Sequence, residues 1–224
     1  LDIITWNVEF FPKNPLTVSY MYNTIISLNS DVFALQEIQI ADSLDALTQR
    51  LGANWISYRS DGSSEYGQLA YLINTDFIEL IEEPYTILTI EDESDFAYRL
   101  PYILEFKFNN KNFILVNIHL KCCDGGDARR LASSITLNNY IQNNFGDDDV
   151  IILGDYNDEI GSSPLNIFYD SYFCDCTQSD NITSCQNESN TQTICNDNEG
   201  TWTANYEITD WDIAYGSTNY WSYP

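Results

Sequence analysis

The chain has 224 residues, of which 44% are hydrophobic and 14% aromatic, so it can bury a sizeable core and is not disordered throughout. No apolar run is long enough for a transmembrane helix. Asp and Glu number 34 against 9 Lys and Arg, a formal net charge of -25, which argues against nucleic-acid binding through a basic surface. Phosphate chemistry on this chain would therefore need cations other than side chains, which points to bound metal.

Two strands and two helices are predicted before residue 52. Residues 2–8 are rich in β-forming side chains, and the apolar run 32–36 predicts a second strand that stops at Glu37. Between these strands apolar residues recur at helical spacing, and the polar segment 29–31 ends the helix. Asp42 is a plausible N-cap for the second helix. The apolar faces consist of Val18, Met21, Ile25 and Leu28 in the first helix and of Leu44, Leu47 and Leu51 in the second.

The next part of the chain predicts more strands and a third helix. The strands cover residues 55–58, 69–73, 102–108 and 112–118, and the turn 109–111 predicts a hairpin between the last two. Asp127 is expected to cap a helix that turns Ala128, Leu131 and Ile135 inward. The continuous apolar run 150–153 predicts a strand buried on both faces. Helices and strands alternate without a strict βαβ rhythm, which indicates a layered fold with mixed sheets.

The cysteines and the polar segment 178–200 suggest an exported protein. Disulfides are favoured over zinc because the spacing lacks a paired C-x-x-C signature, although the pairing stays open. Segment 178–200 carries glycosylation sequons at Asn181 and Asn187 and predicts a surface insertion held by disulfides. The chain begins at Leu1, for which a removed signal peptide or trimming are alternative explanations. We expect an extracellular or periplasmic location. The six cysteines are Cys122, Cys123, Cys174, Cys176, Cys185 and Cys195.

Polar residues stand where predicted strands end, namely Asn7, Glu37, His119, Asp155 and, just beyond, Asn157. Polar groups at the ends of buried strands are costly unless they are hydrogen-bonded or coordinate an ion. Ligand sites also collect at strand ends in layered sheet folds. Carboxylate and amide oxygens form a hard donor set that suits Mg²⁺ or Mn²⁺ rather than zinc. Each residue taken alone has the alternative of satisfying a nearby turn or cap.

Five segments in this order resemble the endonuclease/exonuclease/phosphatase (DNase I-like) superfamily, in particular its secreted bacterial members. The superfamily includes DNase I, abasic-site endonucleases, neutral sphingomyelinases and inositol polyphosphate 5-phosphatases. The resemblance implies a four-layer α/β sandwich, with two packed mixed β-sheets flanked by helices, in a single domain spanning 1–224. The segments are Thr5-Trp6-Asn7, Leu35-Gln36-Glu37, Arg99-Leu100-Pro101, Asn117-Ile118-His119-Leu120-Lys121 and Gly154-Asp155-Tyr156-Asn157.

The resemblance also implies roles. Glu37 would be the principal carboxylate ligand of Mg²⁺ or Mn²⁺, with Asn7 supplying an oxygen or contacting the phosphate. Asp155 and Asn157 would position the attacking water and the phosphoryl oxygens. His119 would contact the phosphate or assist the leaving group. A further residue, Arg99, matches an arginine of the superfamily that binds the scissile phosphate.

Two basic residues and an acidic run each have two alternative roles. Arg129 and Arg130 follow the histidine segment and are candidates for substrate binding, with surface ion pairs as the alternative. The three aspartates 147–149 are most simply a solvated turn, and a structural Ca²⁺ site there is the alternative.

One departure from the superfamily concerns its late Ser-Asp-His type motif, whose histidine acts as general base. His119 is the only histidine of this chain, and Asp212 loosely matches the aspartate that orients the base. The chain is therefore either an incomplete copy that lacks its last strands or a degenerate member that lost turnover. We expect a secreted metal-dependent phosphodiesterase, most simply an endonuclease acting on DNA or RNA. The alternatives are a phospholipid or small phosphate-ester hydrolase and a non-catalytic binding or assembly module.

Overall fold

The computed structural model describes residues 1–62, 64–123, 125–146 and 148–159, four positions between 162 and 168, and the backbone of 172–175 and 201–204. The chain divides into two compact units, Leu1–Asp158 and Glu159–Pro224. Insertion 178–200, its sequons and Asp212 lie outside the described residues. The disulfides expected among the four late cysteines also involve side chains outside them.

The first unit contains three helices and nine strands in its described part. The helices are α1 (Thr17–Leu28), α2 (Ala41–Leu51) and α3 (Asp127–Asn144). The strands are β1 (Ile3–Phe11), β2 (Val32–Ile38), β3 (Trp55–Arg59), β4 (Gln68–Asn74), β5 (Glu79–Leu80), β6 (Tyr85–Thr86), β7 (Tyr102–Phe108), β8 (Lys111–His119) and β9 (Val150–Asp155). None of the described helices is long and apolar enough to cross a membrane.

The second unit is described only through one antiparallel strand pair. Strands β10 (Tyr172–Asp175) and β11 (Thr201–Ala204) pair so that the first residue of one lies opposite the last residue of the other.

Both sheets of the first unit mix parallel and antiparallel pairs. Sheet A has the strand order β1-β2-β4-β3, in which β1 and β2 are parallel and the other pairs antiparallel. Sheet B has the order β5-β7-β8-β9, with β6 also paired to β7, and its only parallel pair in the described residues is β8-β9. Each parallel pair is joined through a helix, α1 in sheet A and α3 in sheet B, as a parallel connection requires.

The alternation of apolar residues in sheet A divides its side chains between two cores. Side chains 32 and 34 of β2 and 69, 71 and 73 of β4 enter a core with sheet B, whose β7 contributes Leu104 and Phe106. The intervening side chains of β2 and β4 pack instead against α1 and α2, where Met21, Ile25 and Leu47 are fully or almost fully buried. Successive strand residues point to opposite faces, so one strand serves both cores. The two mixed sheets flanked by helices confirm the predicted four-layer architecture.

The predicted strands and the first two helices are confirmed to within a few residues. Two predicted helix caps were wrong, and two short strands were not predicted. Asn109 and Asn110 both have left-handed φ, 50° and 64°, and form the predicted hairpin turn between β7 and β8. The caps of α2 and α3 are Ile40 and Gly126, without a side-chain cap hydrogen bond. Asp42 and Asp127 instead lie in the first turns of these helices, where a negative charge interacts favourably with the helix dipole. Strands β5 and β6 have only two residues each, too few to show a pattern.

Two predictions of burial were wrong. The face of α3 turned inward consists of Arg130, Ser133, Ser134, Leu137 and Ile141, while Ala128 and Ile135 are exposed and Leu131 is half-buried. Strand β9 is half-buried rather than buried on both faces, and Ile151 is 38% exposed. Among the described strands β9 pairs only with β8, so it forms an edge of sheet B.

Candidate active site

The two parallel strand pairs end side by side and deliver the predicted polar residues. In sheet A, Asn7 of β1 is aligned with Gln36 of β2, and Glu37 follows directly. In sheet B, His119 and Asp155 are paired in register at the ends of β8 and β9. Parallel strands place their carboxyl ends at one edge, and here the edges of the two sheets meet.

Two glycines allow the backbone to approach closely at these ends. Gly67 has φ 81°, and a Cβ there would lie 2.7 Å from the carbonyl carbon of Glu37. Gly154 has φ 139°, and a Cβ would collide with the backbone oxygen of Ile118. Any other residue would push apart the strand ends that carry Glu37 and Asp155.

Two carboxylates converge on one amide group. Asn7 Nδ2 donates to Glu37 Oε1 at 2.9 Å and to Asp155 Oδ2 at 2.7 Å. The backbone amide of Glu9 donates to Asn7 Oδ1 at 2.9 Å, which fixes the orientation of the amide. The second oxygen of Glu37 accepts from the Phe10 amide at 3.0 Å. Asn7 therefore meets the carboxylates with its nitrogen, and its oxygen is already engaged; its role as a metal ligand stays a prediction.

His119 is 3% exposed and faces the same carboxylates. Its Nε2 lies 3.6 Å from Asp155 Oδ2 and 3.9 Å from Glu37 Oε1. The pKa of His119 is lowered to about 4, mainly by burial and also by the positive charge of Arg99, while Asp155 acts in the opposite direction. Nδ1 is buried and has no hydrogen-bond partner among the described residues. Because acceptors face Nε2, the proton of the neutral ring belongs on Nε2.

Arg99 is 4% exposed and is held by backbone carbonyls next to the carboxylates. Its Nε donates to the His119 oxygen at 3.2 Å and its Nη2 to the Leu120 oxygen at 3.3 Å. Burial lowers its pKa, while Glu37 and Asp155 raise it, so the guanidinium keeps its charge near neutral pH.

Asn157 completes the set through its backbone. Its amide donates to Asp155 Oδ1 at 2.9 Å, and its side-chain Nδ2 donates to the Leu120 oxygen at 3.0 Å. Asn157 thus orients the carboxylate of Asp155 and holds the segment after β8.

These residues line one cleft of about 710 Å³, together with a wall that the sequence analysis did not predict. Phe10 and Tyr66 contact each other with ring centroids 6.0 Å apart, and Tyr66 and Tyr98 are half exposed. The sequence offered one signal for this wall, since Tyr98 directly precedes Arg99 of the third family-like segment. Lys121, Cys122 and Cys123 also line the cleft.

Backbone strain is concentrated at this cleft. In the part of the chain that the structure describes, eleven residues other than glycine have positive φ. Seven of them line the cleft, namely Glu9, Phe10, Glu37, Ala97, Tyr98, Cys123 and Asn157. Left-handed backbone is costly for L-residues and persists where the surrounding structure enforces it, which is common at functional sites.

The two arginines proposed for substrate binding are placed differently. Arg129 lines the cleft, and its Nη2 donates to the Ser94 oxygen. Arg130 is buried, and its Nε donates to Asp158 Oδ2 at 2.8 Å while Asp127 binds Nη2. The structure therefore brings Arg129 to the site and engages Arg130 in ion pairs.

The carboxylates fit a hard divalent cation. Glu37 and Asp155 both accept from Asn7 Nδ2, which brings the two negative charges close together, and a cation bound beside them would offset their mutual repulsion. No group of three or more His, Cys, Asp or Glu side chains in the described residues is arranged to hold a metal. Mg²⁺ is nevertheless commonly bound by one or two carboxylates, with water and substrate oxygens completing its shell. Glu37 and Asp155 are the residues that would hold it.

Comparison of the sequence with known families agrees with this geometry. Residues 4–222 match the Endonuclease/Exonuclease/phosphatase family. The chain belongs to this family, and the match extends well past Gly154-Asp155-Tyr156-Asn157, the last of the five segments that carry the resemblance. A comparison with curated proteins found no match.

Solved structures confirm the fold. Humanized D. rerio TDP2 with 14 mutations is 20% identical, with a TM-score of 0.63 over 75% of this chain and 70% of that chain. The human nocturnin catalytic domain with bound sulfate anion is 18% identical, with a TM-score of 0.65 over 76% and 69%. D. rerio TDP2 complexed with a single-strand DNA product is 20% identical, with a TM-score of 0.62 over 75% and 64%. The chain thus spans about two thirds of each of these structures.

Proposed function

We propose that this protein is a secreted, Mg²⁺- or Mn²⁺-dependent phosphodiesterase. The carrying observation is the convergence of the Glu37 and Asp155 carboxylates on Asn7, with charged Arg99 and neutral His119 in the same cleft. Membership of the Endonuclease/Exonuclease/phosphatase family supports hydrolysis of a phosphate ester. Secretion is part of the proposal and is supported by the acidic charge and the six cysteines.

The cleft residues have separate parts in the hydrolysis. A divalent cation, when bound, polarises a phosphoryl oxygen and lowers the pKa of bound water. Arg99 presents a buried positive charge to the phosphoryl oxygens, where negative charge grows in the transition state. Asp155, oriented by Asn7 and Asn157, accepts a hydrogen bond from the attacking water. His119, with its proton on Nε2, donates to a phosphoryl oxygen or to the departing oxygen as the P–O bond breaks.

Nucleic acid is the proposed substrate. The D. rerio TDP2 structure that resembles this chain holds a single-strand DNA product. The exposed rings of Tyr66 and Tyr98 beside the phosphate site suit contact with bases, because every base has a face that can stack.

A small phosphodiester is the second candidate. The net charge of -25 repels a polyanion, and Glu9 and Glu65 add acidic side chains to the cleft. A substrate with one phosphate and an apolar or aromatic group would meet less repulsion. A parallel assay of single-stranded DNA, sphingomyelin and a small aromatic phosphodiester separates these classes.

The test of the catalytic proposal is Glu37→Gln, with Glu79→Gln as the matched control. Glu79 is an exposed residue of β5 that pairs with Lys107 at 3.5 Å. Its substitution therefore makes the same chemical change outside the cleft. We expect Glu37→Gln to lower kcat/KM on the order of 100-fold, and Glu79→Gln to leave it within about twofold. Activity of the unaltered protein should vanish in EDTA and return with Mg²⁺ or Mn²⁺.

Two results would contradict the proposal. Hydrolysis that persists in EDTA would exclude the metal-dependent mechanism, as would a folded Glu37→Gln variant whose kcat/KM stays within about twofold of that of the unaltered protein. A folded protein that binds these substrates with Mg²⁺ present but hydrolyses none would favour the non-catalytic binding module.

A further inference from the structure

Two adjacent cysteines form part of the cleft wall. Cys122 and Cys123 follow the segment after β8, and both line the cleft that holds Arg99 and His119. Cys122 is half-buried and Cys123 is exposed. The Cys123 Sγ lies 2.6 Å from the Cys122 Sγ.

The backbone turns at this point so that both side chains share one side. In an extended chain, consecutive side chains point to opposite faces. Cys123 instead adopts a left-handed φ of 69°. This conformation costs an L-residue on the order of 1 kcal/mol. Glycine adopts it without that cost, yet the two glycines of this segment stand at positions 125 and 126 and not at 123. The strain brings two thiol groups together at the cleft.

The segment that precedes these cysteines supports the phosphate-binding residues. The backbone oxygens of residues 119 and 120 accept from Arg99, and that of residue 120 also accepts from Asn157. The oxygen of Lys121 accepts from Arg130 Nη1 at 2.8 Å. Two carbonyls of this segment thus fix side chains of the site, and the third anchors the segment to α3 through Arg130. Residues 122–123 follow this support directly in the chain.

The surroundings favour thiol chemistry. The Lys121 Nζ lies 4.0 Å from Cys122 Sγ and 3.0 Å from its backbone oxygen. The charge of Arg99 also interacts with Cys122. The nucleophile in thiol–disulfide exchange is the thiolate, so the attacking sulfur carries a negative charge that these cationic side chains face.

We propose that Cys122 and Cys123 are a redox modification site whose co-reactant is a small-molecule disulfide. One cysteine thiolate attacks the small disulfide, which forms a mixed disulfide and releases one thiolate of the small molecule. The second cysteine then attacks the protein sulfur of that mixed disulfide and releases the other small-molecule thiolate. The protein loses two protons and two electrons, the small disulfide is reduced to two thiols, and an eight-membered ring closes across the peptide bond 122–123.

The ring also has a consequence for the cleft, and this part rests on the proposed function. A closed ring restricts the backbone at 122–123 and thereby holds the carbonyls that position Arg99 and Asn157. The oxidised protein should bind the phosphodiester more tightly than the dithiol protein, because less ordering is required on binding.

Peptide mapping tests the modification site without any activity assay. Trypsin cleaves after Lys121 and Arg129, and the resulting peptide 122–129 contains both cysteines and none of the other four. The folded protein is incubated with oxidised glutathione, denatured, alkylated with iodoacetamide and digested. We expect a peptide that carries no alkyl group before reduction and two after reduction. Two alkyl groups before reduction, retained glutathione or a cross-link to another peptide would each overturn the proposal.

The effect on the cleft is tested by comparing the oxidised and the reduced protein. We expect reduction to raise KM about threefold or more with kcat nearly unchanged, and to speed amide exchange at residues 120–123. The matched control carries Cys122→Ser and Cys123→Ser, and neither its KM nor its amide exchange at 120–123 should respond to glutathione. A similar response in this control would trace the effect to the other cysteines and overturn the link to the cleft, as would equal KM and exchange in both states.

The failure of the two proposals is distinguishable. A protein inactive with Mg²⁺ in both redox states counts against the phosphodiesterase. The peptide masses and the amide exchange still decide whether the cysteine pair closes and whether it holds the segment.

Discussion

Two carboxylates near a histidine ordinarily favour its protonated form, yet His119 stays neutral. Burial is the largest influence, and the positive charge of Arg99 acts in the same direction, so Asp155 does not compensate and the pKa falls to about 4. The arginine that binds phosphate in the proposed mechanism therefore also keeps the imidazole uncharged. The ring then offers one N–H donor on Nε2 at neutral pH.

His119 should show this pKa directly in an NMR titration, because the chain has no other histidine to overlap its ring signal. In protein freed of metal with EDTA, we expect no titration step between pH 5.5 and 8 and a midpoint near 4. The unfolded chain titrates near 6.5, so between about pH 4 and 6.5 it binds more protons than the folded protein. This group therefore makes stability rise with pH across that window. A midpoint at or above 6 would show that Asp155 dominates.

Much of the site was predictable from single residues, because each stands at the end of an apolar strand. Asn7, Glu37, His119 and Asp155 interrupt apolar runs, and strand ends of parallel pairs must meet. The orientation of the Asn7 amide was not predictable, since it depends on the backbone turn that brings the Glu9 amide to its oxygen. Such a turn, with left-handed φ at residues 9 and 10, has no signature in residue type.

A polar network that joins the two sheets lies directly behind the site. Asn117 of β8 donates to the backbone oxygens of Leu35 and Ala70 in sheet A, both at 3.1 Å. Gln36 of β2 donates to Asn117 Oδ1 at 2.8 Å, and both side chains are buried. Tyr71 adds bonds to the backbone oxygens of residues 102 and 115 in sheet B. Buried polar groups with every partner in place fix the relative position of two elements.

Replacing the shared member of this network should weaken the packing of the sheets. We expect Asn117→Leu, which keeps the approximate volume, to lower the free energy of unfolding by about 3 kcal/mol. The loss arises because two buried carbonyls of sheet A lose the Asn117 donor and the Gln36 amide loses one of its three acceptors. Urea unfolding monitored by tryptophan fluorescence measures it.

Asn112→Leu is the control for this change, since Asn112 is exposed on the same strand. Its effect should stay within about 0.5 kcal/mol. Equal effects of the two substitutions would mean that the network contributes nothing specific to the contact between the sheets.

Elements whose side chains follow one dominant pattern were predictable, and elements with competing demands were not. Strands β2 and β4 have apolar residues on both faces because each face meets a core. The wrong face of helix α3 was predicted to turn inward, because the ion pair of Arg130 with Asp158 buries a charged residue that an apolar pattern cannot indicate. Strand β9 shows an apolar run typical of a central strand, but its position in the strand order is set by tertiary pairing.

At the scale of the whole molecule, charge and site make opposite demands on a polyanionic substrate. The net charge of -25 creates a repulsive field for nucleic acid, whereas Arg99, Lys121 and Arg129 place three of the nine basic residues at the cleft. The field acts over roughly the Debye length, about 10 Å at 0.1 M salt, while contacts within the cleft are screened less. Salt should therefore change the rate at which a long substrate associates with the protein more than it changes the chemical step in the cleft.

We expect NaCl to raise kcat/KM on long single-stranded DNA, at saturating and constant Mg²⁺, when its concentration increases from about 20 to about 200 mM. The rise follows because salt screens the repulsion that slows association. A small phosphodiester with one charge should change by less than about twofold and serves as the control. Proteins that bind nucleic acid by neutralising phosphates show the opposite dependence, with affinity falling as salt increases. A steep fall in kcat/KM on DNA with increasing salt would therefore mean that the cationic residues of the cleft outweigh the overall negative charge. Equal responses of the two substrates would mean that the field of the whole molecule does not act at the cleft.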